Sequence, residues 1–323
     1  MGTSTTDCLV FLHIMKTGGT TLARLLENNV APEHYFFLRD AQSVDEVATI
    51  PEETRRSLRV LRAGHIPFGA HRHLPQKSTY ITMLRHPVDR VLSLYYFIYF
   101  PPNRESPQEF VPLKTWLETS SVVDNNQTHK LAGIMYKERQ GGSTRALLDS
   151  AKQHFQDHFS VVGITERFDE SVLLMHHRVG LKNILYQNKN VNQNRPKRAV
   201  DPEIVAMIEE RNQFDLELYQ YANDQLDAQI AQIPTFEPEL ALFQQLNAQF
   251  TAVADASDEK TEILKQVRQR VGTLRESRDE FKRRFSDLQQ AYRQLSKLQV
   301  LYEKSKLAQV GRLLKITPFW KKP

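Results

Sequence analysis

The chain has 323 residues, 40% of them apolar and 25% charged, with a formal net charge of +5 at pH 7. That length can bury a substantial core and fits about two domains, and the composition is that of a soluble globular protein. The one cysteine, Cys8, excludes a disulfide framework and a cysteine zinc site, and the longest greasy run, Val91 to Phe100, is too short to span a bilayer. The start of the chain lacks the charged, apolar and cleavage regions of a secretory leader. Charge is unevenly placed: residues 258–323 carry 17 Lys/Arg against 8 Asp/Glu, and the rest carry 26 against 30. Basicity therefore belongs to the tail, and no nucleic-acid partner is expected.

In chain order, the apolar run from Leu9 reads as a buried strand that breaks at Met15. Lys16-Thr17-Gly18-Gly19-Thr20-Thr21 follows, then a helical segment from Leu22 to Asn28. A strand feeding a glycine turn at a helix N-terminus presents free N–H groups and the positive end of the helix dipole to an anion. Gly18 and Gly19 allow close approach, the threonines offer hydroxyls, and Lys16 adds a point charge. Lys16 stands before the glycines, so the standard ATP or GTP loop, with lysine after its last glycine, is absent. Leu61 to Ile66 reads as another strand, ending in Gly64-His65. Thr79 to Leu84 is a further buried strand, closed by Arg85-His86-Pro87, and a helix runs from Val88 toward Phe100 until Pro101-Pro102 stops it. Arg85 and Ser93 are then placed to meet one anion beside the first loop, because parallel strands present their carboxyl ends together.

These two units carry a resemblance. Lys16-Thr-Gly-Gly-Thr-Thr21 after a strand resembles the 5′-phosphosulfate loop of sulfotransferases that use 3′-phosphoadenosine 5′-phosphosulfate (PAPS). Arg85-x-Pro87-x-x-Arg90-x-x-Ser93 resembles their 3′-phosphate motif, with His86 where many members have aspartate. Leu92 to Phe97 is similar to the heparan 2-O-sulfotransferase-like subgroup, which acts on uronic-acid sugars. Ser160 to Glu166 resembles a strand before a core helix in this family, and Leu185 to Arg198, with Asn192 and Arg195, resembles a loop that closes over the nucleotide. The resemblance covers about Cys8 to Leu226. It implies an α/β fold, a P-loop-like parallel sheet flanked by helices, with PAPS as donor and no metal.

Sulfuryl transfer needs positioning, charge stabilisation and proton removal from a hydroxyl. The resemblance assigns Lys16 to the bridging oxygen, Thr17, Gly18, Gly19, Thr20 and Thr21 to the 5′-phosphate, and Arg85 and Ser93 to the 3′-phosphate. It makes His65 the general base, a role that an imidazole titrating near neutrality suits. Glu166 is retained as an alternative base, and His13 is read as a core histidine. Asp124 to Lys130, Arg62, His71, Arg72, His73 and Arg139 are candidates for contact with a carbohydrate acceptor.

The C-terminal third differs. Residues 233–238 read as a linker, and from 239 to 306 the apolar residues fall into heptads, Phe243, Leu246, Phe250 and Val253 among them. Such a seam argues for a coiled coil and a homo-oligomer, with folding back on the catalytic domain (residues 1–232) as the alternative. The basic amphipathic tail, 307–323, suits a membrane surface or a partner protein. The expectation is a cytoplasmic carbohydrate sulfotransferase, peripheral to a membrane through its tail, from the bacterial side of the family. A sulfotransferase for protein tyrosine or a small alcohol, a P-loop kinase and a non-catalytic scaffold are the competitors.

Overall fold

The residues Cys8-Leu-Val-Phe-Leu form a strand with both faces covered: all but Leu9 are fully buried, as in the centre of a parallel sheet. A computed structural model describes residues 7–39, 41, 43–64, 66–101, 109–134, 142–187 and 200–255. Among these, β1 (Cys8–Leu12), β2 (Tyr35–Leu38), β3 (Val60–Ala63), β4 (Ser78–Leu84) and β5 (Phe159–Ile164) form one sheet in the order β2-β3-β1-β4-β5, parallel throughout. Leu12 lies opposite both Ala63 and Thr82, so β1, β3 and β4 end at one edge. Thr82 Oγ1 donates to Leu12 O at 2.6 Å just before that edge. The chain leaves β1 for one side of the sheet and later crosses to the other, and the crevice at such a switch is where open α/β sheets bind ligands.

The described helices are α1 (Gly19–Glu27), α2 (Glu52–Ser57), α3 (Pro87–Tyr99), α4 (Leu113–Thr119), α5 (Asn126–Ala132), α6 (Arg145–His158), α7 (Phe168–Val179), α8 (Pro202–Arg211), α9 (Gln213–Ile230) and α10 (Phe236–Asp255). The main core fills the space between the sheet and its flanking helices, and a smaller one lies among α3, α4 and α8 around Tyr95 and Trp116. The strand expected over 61–66 stops at Ala63, where Gly64 N turns to donate to Leu38 O at 3.1 Å.

Asp124 to Lys130, expected to meet an acceptor, is largely interior. Asn125, Gln127, Thr128 and His129 are all buried. The fully buried Asp215 carboxylate accepts from Gln127 N (3.1 Å), Thr128 N (2.8 Å) and Thr128 Oγ1 (2.8 Å). Asn125, in left-handed backbone, returns the favour: its Oδ1 accepts from Phe214 N and Asp215 N at 2.9 and 3.0 Å. The N-termini of α5 and α9 thus cap one another, satisfying donors that each helix leaves open.

The compact unit runs to Asp255. Residues 239–255, placed by their heptads in the coiled coil, lie in α10, which starts inside the expected linker. Phe236 and Phe243 join the main core, and Glu239 accepts from His177 Nε2 of α7 at 2.6 Å. The rest of the expected coiled coil and the basic tail lie outside the described residues.

Replacing Asp215 with alanine strands three buried donors. The loss should be about 3–5 kcal/mol of unfolding free energy, read from the urea midpoint, with Asp215→Asn costing less.

Candidate functional site

At the exit of β1 the backbone must reverse within six residues, 13–18, before α1 begins. Lys16 takes a left-handed conformation (φ 68°), and Gly18 follows with φ 75°. For lysine this costs about 1–2 kcal/mol, a strain that persists where the surroundings dictate it and clusters at ligand sites. Thr17 is fully buried, and its Oγ1 donates to Ile14 O at 2.9 Å, closing the turn. Its hydroxyl is therefore structural, leaving the Thr17 N–H as its expected phosphate donor. The first α1 bonds are those of Thr21 and Leu22 to Gly18 O, so the earlier N–H groups lead the helix dipole toward a ligand. Thr20 is exposed at this end, while Thr21 is buried.

Two rings fix the loop. A β-carbon at Gly19 would lie 2.1 Å from His13 Cδ2, and one at Gly18 would lie 3.2 Å from Phe168 Cε2. Arg62 Nη2 donates to His13 Nδ1 at 3.0 Å, which puts the imidazole proton on Nε2. The Arg62 guanidinium also stacks on Phe37 at 3.9 Å. Arg62, expected to meet an acceptor, and His13, expected in the core, jointly support the loop from the sheet side. His71 accompanies Tyr80, and His73 pairs with Asp45 at 3.1 Å. Tyr80 stands near the start of β4, at the sheet edge opposite the loop.

Arg85 leaves β4 beside this loop. Its Nη1 donates to Lys16 O at 3.2 Å, and its backbone N and O are clamped by the Gln127 side chain, each at 2.9 Å. The two expected motifs are thus in direct contact. Glu166 accepts from His86 N and from Tyr219 OH, both at 3.1 Å, and its Oε1 lies 3.9 Å from Arg85 Nε. This alternative base is engaged in holding the arginine turn. Arg90, the second arginine of the motif, is fully buried and donates to Val123 O. Ser93 is half-buried on α3, one turn before Phe97 on the same face.

Phe97 was not singled out by sequence, although its i+4 spacing from Ser93 is a usable signal. Its ring centroid lies 4.2 Å from Lys16 Nζ, a cation–π contact of about 0.5–2 kcal/mol. Burial, and then the Arg85 guanidinium, pull the Lys16 ammonium down to about 8. Phe168 likewise acts at the site without a motif of its own, while Gln127 and Arg62, expected to meet an acceptor, act there as supports. Gly64 sits at the carboxyl edge, and the next residue, His65, lies outside the described residues, as do Asn192, Arg195 and Arg139.

The geometry defines a class: an α/β protein with a glycine loop, open helix N–H groups, a lysine and an arginine gathered at the carboxyl edge of a parallel sheet. The family is narrower. Residues 2–222 match the sulfotransferase family, and the chain belongs to it. Human heparan-sulfate 6-O-sulfotransferase 1 is 26% identical over 275 residues, covering 68% of this chain and 65% of the relative. Mouse galactose-3-O-sulfotransferase 3 is 27% identical over 248 residues, covering 67% and 55%. The chain thus spans less than two thirds of either relative. Mouse sulfotransferase SULT7A1 complexed with PAP aligns over 75% of this chain and 89% of its own at 15% identity, with a TM-score of 0.31.

Competitive acylation across pH should titrate Lys16 near 8 instead of the ordinary 10.5. Because the folded value is depressed, stability should rise as pH passes from about 8 toward 10.5, where only the unfolded chain still holds the proton. Phe97→Leu removes a contact that favours the ammonium and should move the acylation midpoint lower; an unchanged midpoint would show that the ring contributes nothing.

Proposed function

We propose that this chain transfers a sulfuryl group from PAPS to a carbohydrate hydroxyl. The acceptor oxygen attacks sulfur in line, forming an O–S bond as the bond from sulfur to the 5′-phosphate oxygen breaks. The hydroxyl proton passes to His65, and adenosine 3′,5′-bisphosphate leaves. The Lys16 ammonium stabilises the leaving oxygen, and the N–H groups from Thr17 to Thr20 hold its phosphate. Arg85 and Ser93 take the 3′-phosphate, while Asn192 and Arg195 complete the nucleotide's surroundings. Charge is balanced by these groups without a metal. The carrying observation is the Arg85 contact to Lys16 O, which joins the two anion-binding motifs in a chain of the sulfotransferase family.

A carbohydrate acceptor is favoured by the names of the relatives, which specify heparan sulfate and galactose. Those relatives are 6-O- and 3-O-enzymes, whereas Leu92 to Phe97 resembles a 2-O-type subgroup, so the proposal stops at a sugar hydroxyl. The heptads beyond α10 are assigned to self-association.

Calorimetry should find tight binding of adenosine 3′,5′-bisphosphate, weak binding of ATP, and loss of the former in Arg85→Ala. A preference for ATP with magnesium would instead make the protein a kinase, and no binding of either would favour a scaffold. His65→Ala should lower turnover at least about a hundredfold with bisphosphate affinity preserved; normal turnover removes His65 as base. A chain ending at Asp255 should be monomeric by light scattering and still bind the bisphosphate, and an unchanged oligomer would sink the coiled-coil assignment.

A further inference from the structure

We propose that α10 positions the donor loop through a relay of two rings, Tyr186 and Phe168. The ligand named in the test rests on the donor reading above, but the relay itself is read from contacts between side chains.

Phe168 opens α7, and its ring edge borders Gly18: a β-carbon added there would lie 3.2 Å from Phe168 Cε2. Tyr186 meets the Phe168 ring edge to face, with centroids 4.8 Å apart at 65°. Three groups of Tyr186 are held: its OH donates to Asp169 Oδ1 at 2.7 Å, its N donates to Asn247 Oδ1 at 2.8 Å, and its O accepts from Thr251 Oγ1 at 3.5 Å. Burial and the bond to Asp169 push the Tyr186 phenol well above its usual range, so it stays a donor at neutral pH. Asn247 and Thr251 both lie on α10, as do Phe243, whose ring is 6.4 Å from Tyr186, and Gln244, which donates to Asp169 Oδ2 at 3.3 Å.

The order of contact is therefore α10, Tyr186, Phe168, Gly18. Gly18 is the left-handed residue whose carbonyl receives the first α1 bonds, so its position aims the open N–H groups. Moving Phe168 by a fraction of an ångström opens the space beside Gly18 that its ring edge now limits. Hydrogen bonding of an anion by several fixed donors tolerates such slack poorly. Sequence places α10 after the family match ends at residue 222, yet its contacts reach the loop near residue 18.

The test uses the full chain with Tyr186→Leu, Tyr186→Phe and Asn247→Ala, the last leaving both rings in place. Affinity for adenosine 3′,5′-bisphosphate, thermal midpoint, donor and acceptor KM, kcat, and amide hydrogen exchange over residues 16–21 are measured together. Tyr186→Leu and Asn247→Ala should weaken bisphosphate binding and raise donor KM on the order of tenfold, with kcat and acceptor KM within about twofold. They should also speed loop exchange, and Tyr186→Phe, which keeps the ring, should recover most of the affinity. Wild-type affinity and exchange in variants that melt normally would overturn the relay, as would a loss shared equally by donor and acceptor KM. If Tyr186→Leu does not fold, Asn247→Ala decides by the same readouts. If the wild-type chain prefers ATP, the donor reading fails alone; ATP affinity and loop exchange then decide the relay, and exchange alone decides it if neither nucleotide binds.

Discussion

A phosphate-type group can approach a backbone closely only where no side chain intervenes, and here the space beside the backbone is already filled from two directions. The His13 imidazole occupies what would be the β-carbon position of Gly19, and the Phe168 ring crowds that of Gly18. Glycine is required at 19 by contact and at 18 by its left-handed backbone. The rest of the site follows from this clamp. His13 is oriented by Arg62, which arises from β3 beside β1, and Arg62 rests on Phe37 of β2, the next strand out. The loop's shape is a property of the sheet beneath it.

A second constraint acts on the arginine side. Gln127 grips the Arg85 backbone with both ends of its amide, and its own N–H is held by the buried Asp215. Removing a carboxylate that satisfies several buried donors costs far more than removing a surface ion pair. Precision at Arg85 thus originates in the mutual capping of α5 and α9, well outside either anion-binding motif. The site combines a strained lysine, a clamped arginine and a pair of glycines, all placed by residues outside the two motifs.

Much of this was legible in the sequence. The strand before Lys16, the glycine turn and the arginine turn after β4 follow from apolar runs punctuated by Gly and Pro, and the structure brings them together. Boundaries moved by one to three residues, as expected where helices begin in turns. What sequence did not disclose is the direction of polar side chains. Asn125, Gln127 and Thr128 look like a solvent-facing cluster, and it is the partners Asn212 and Asp215, 87 or more positions away, that receive them in the interior. The heptads show the same limit at α10. Phe236, Phe243 and Phe250 repeat every seven residues and are all buried. A periodic stripe announces that one helix face will be covered but not by what: Phe236 and Phe243 are covered by their own domain's core, where α10 meets α7. Left-handed backbone at Lys16 carries no sequence signal, because lysine has no preference for it.

The order β2-β3-β1-β4-β5 also has a consequence for synthesis on the ribosome. The central strand is the first to emerge, yet its two neighbours are β3 and β4, which end at Ala63 and Leu84. For dozens of residues the nascent chain therefore carries an apolar strand with both edges open, the condition most prone to mispairing. The Lys16–Thr21 loop is released still earlier than its supports: Phe168 follows some 150 residues later, and the α10 residues that hold Tyr186 later again. The first chemistry written in this chain is among the last parts to take shape.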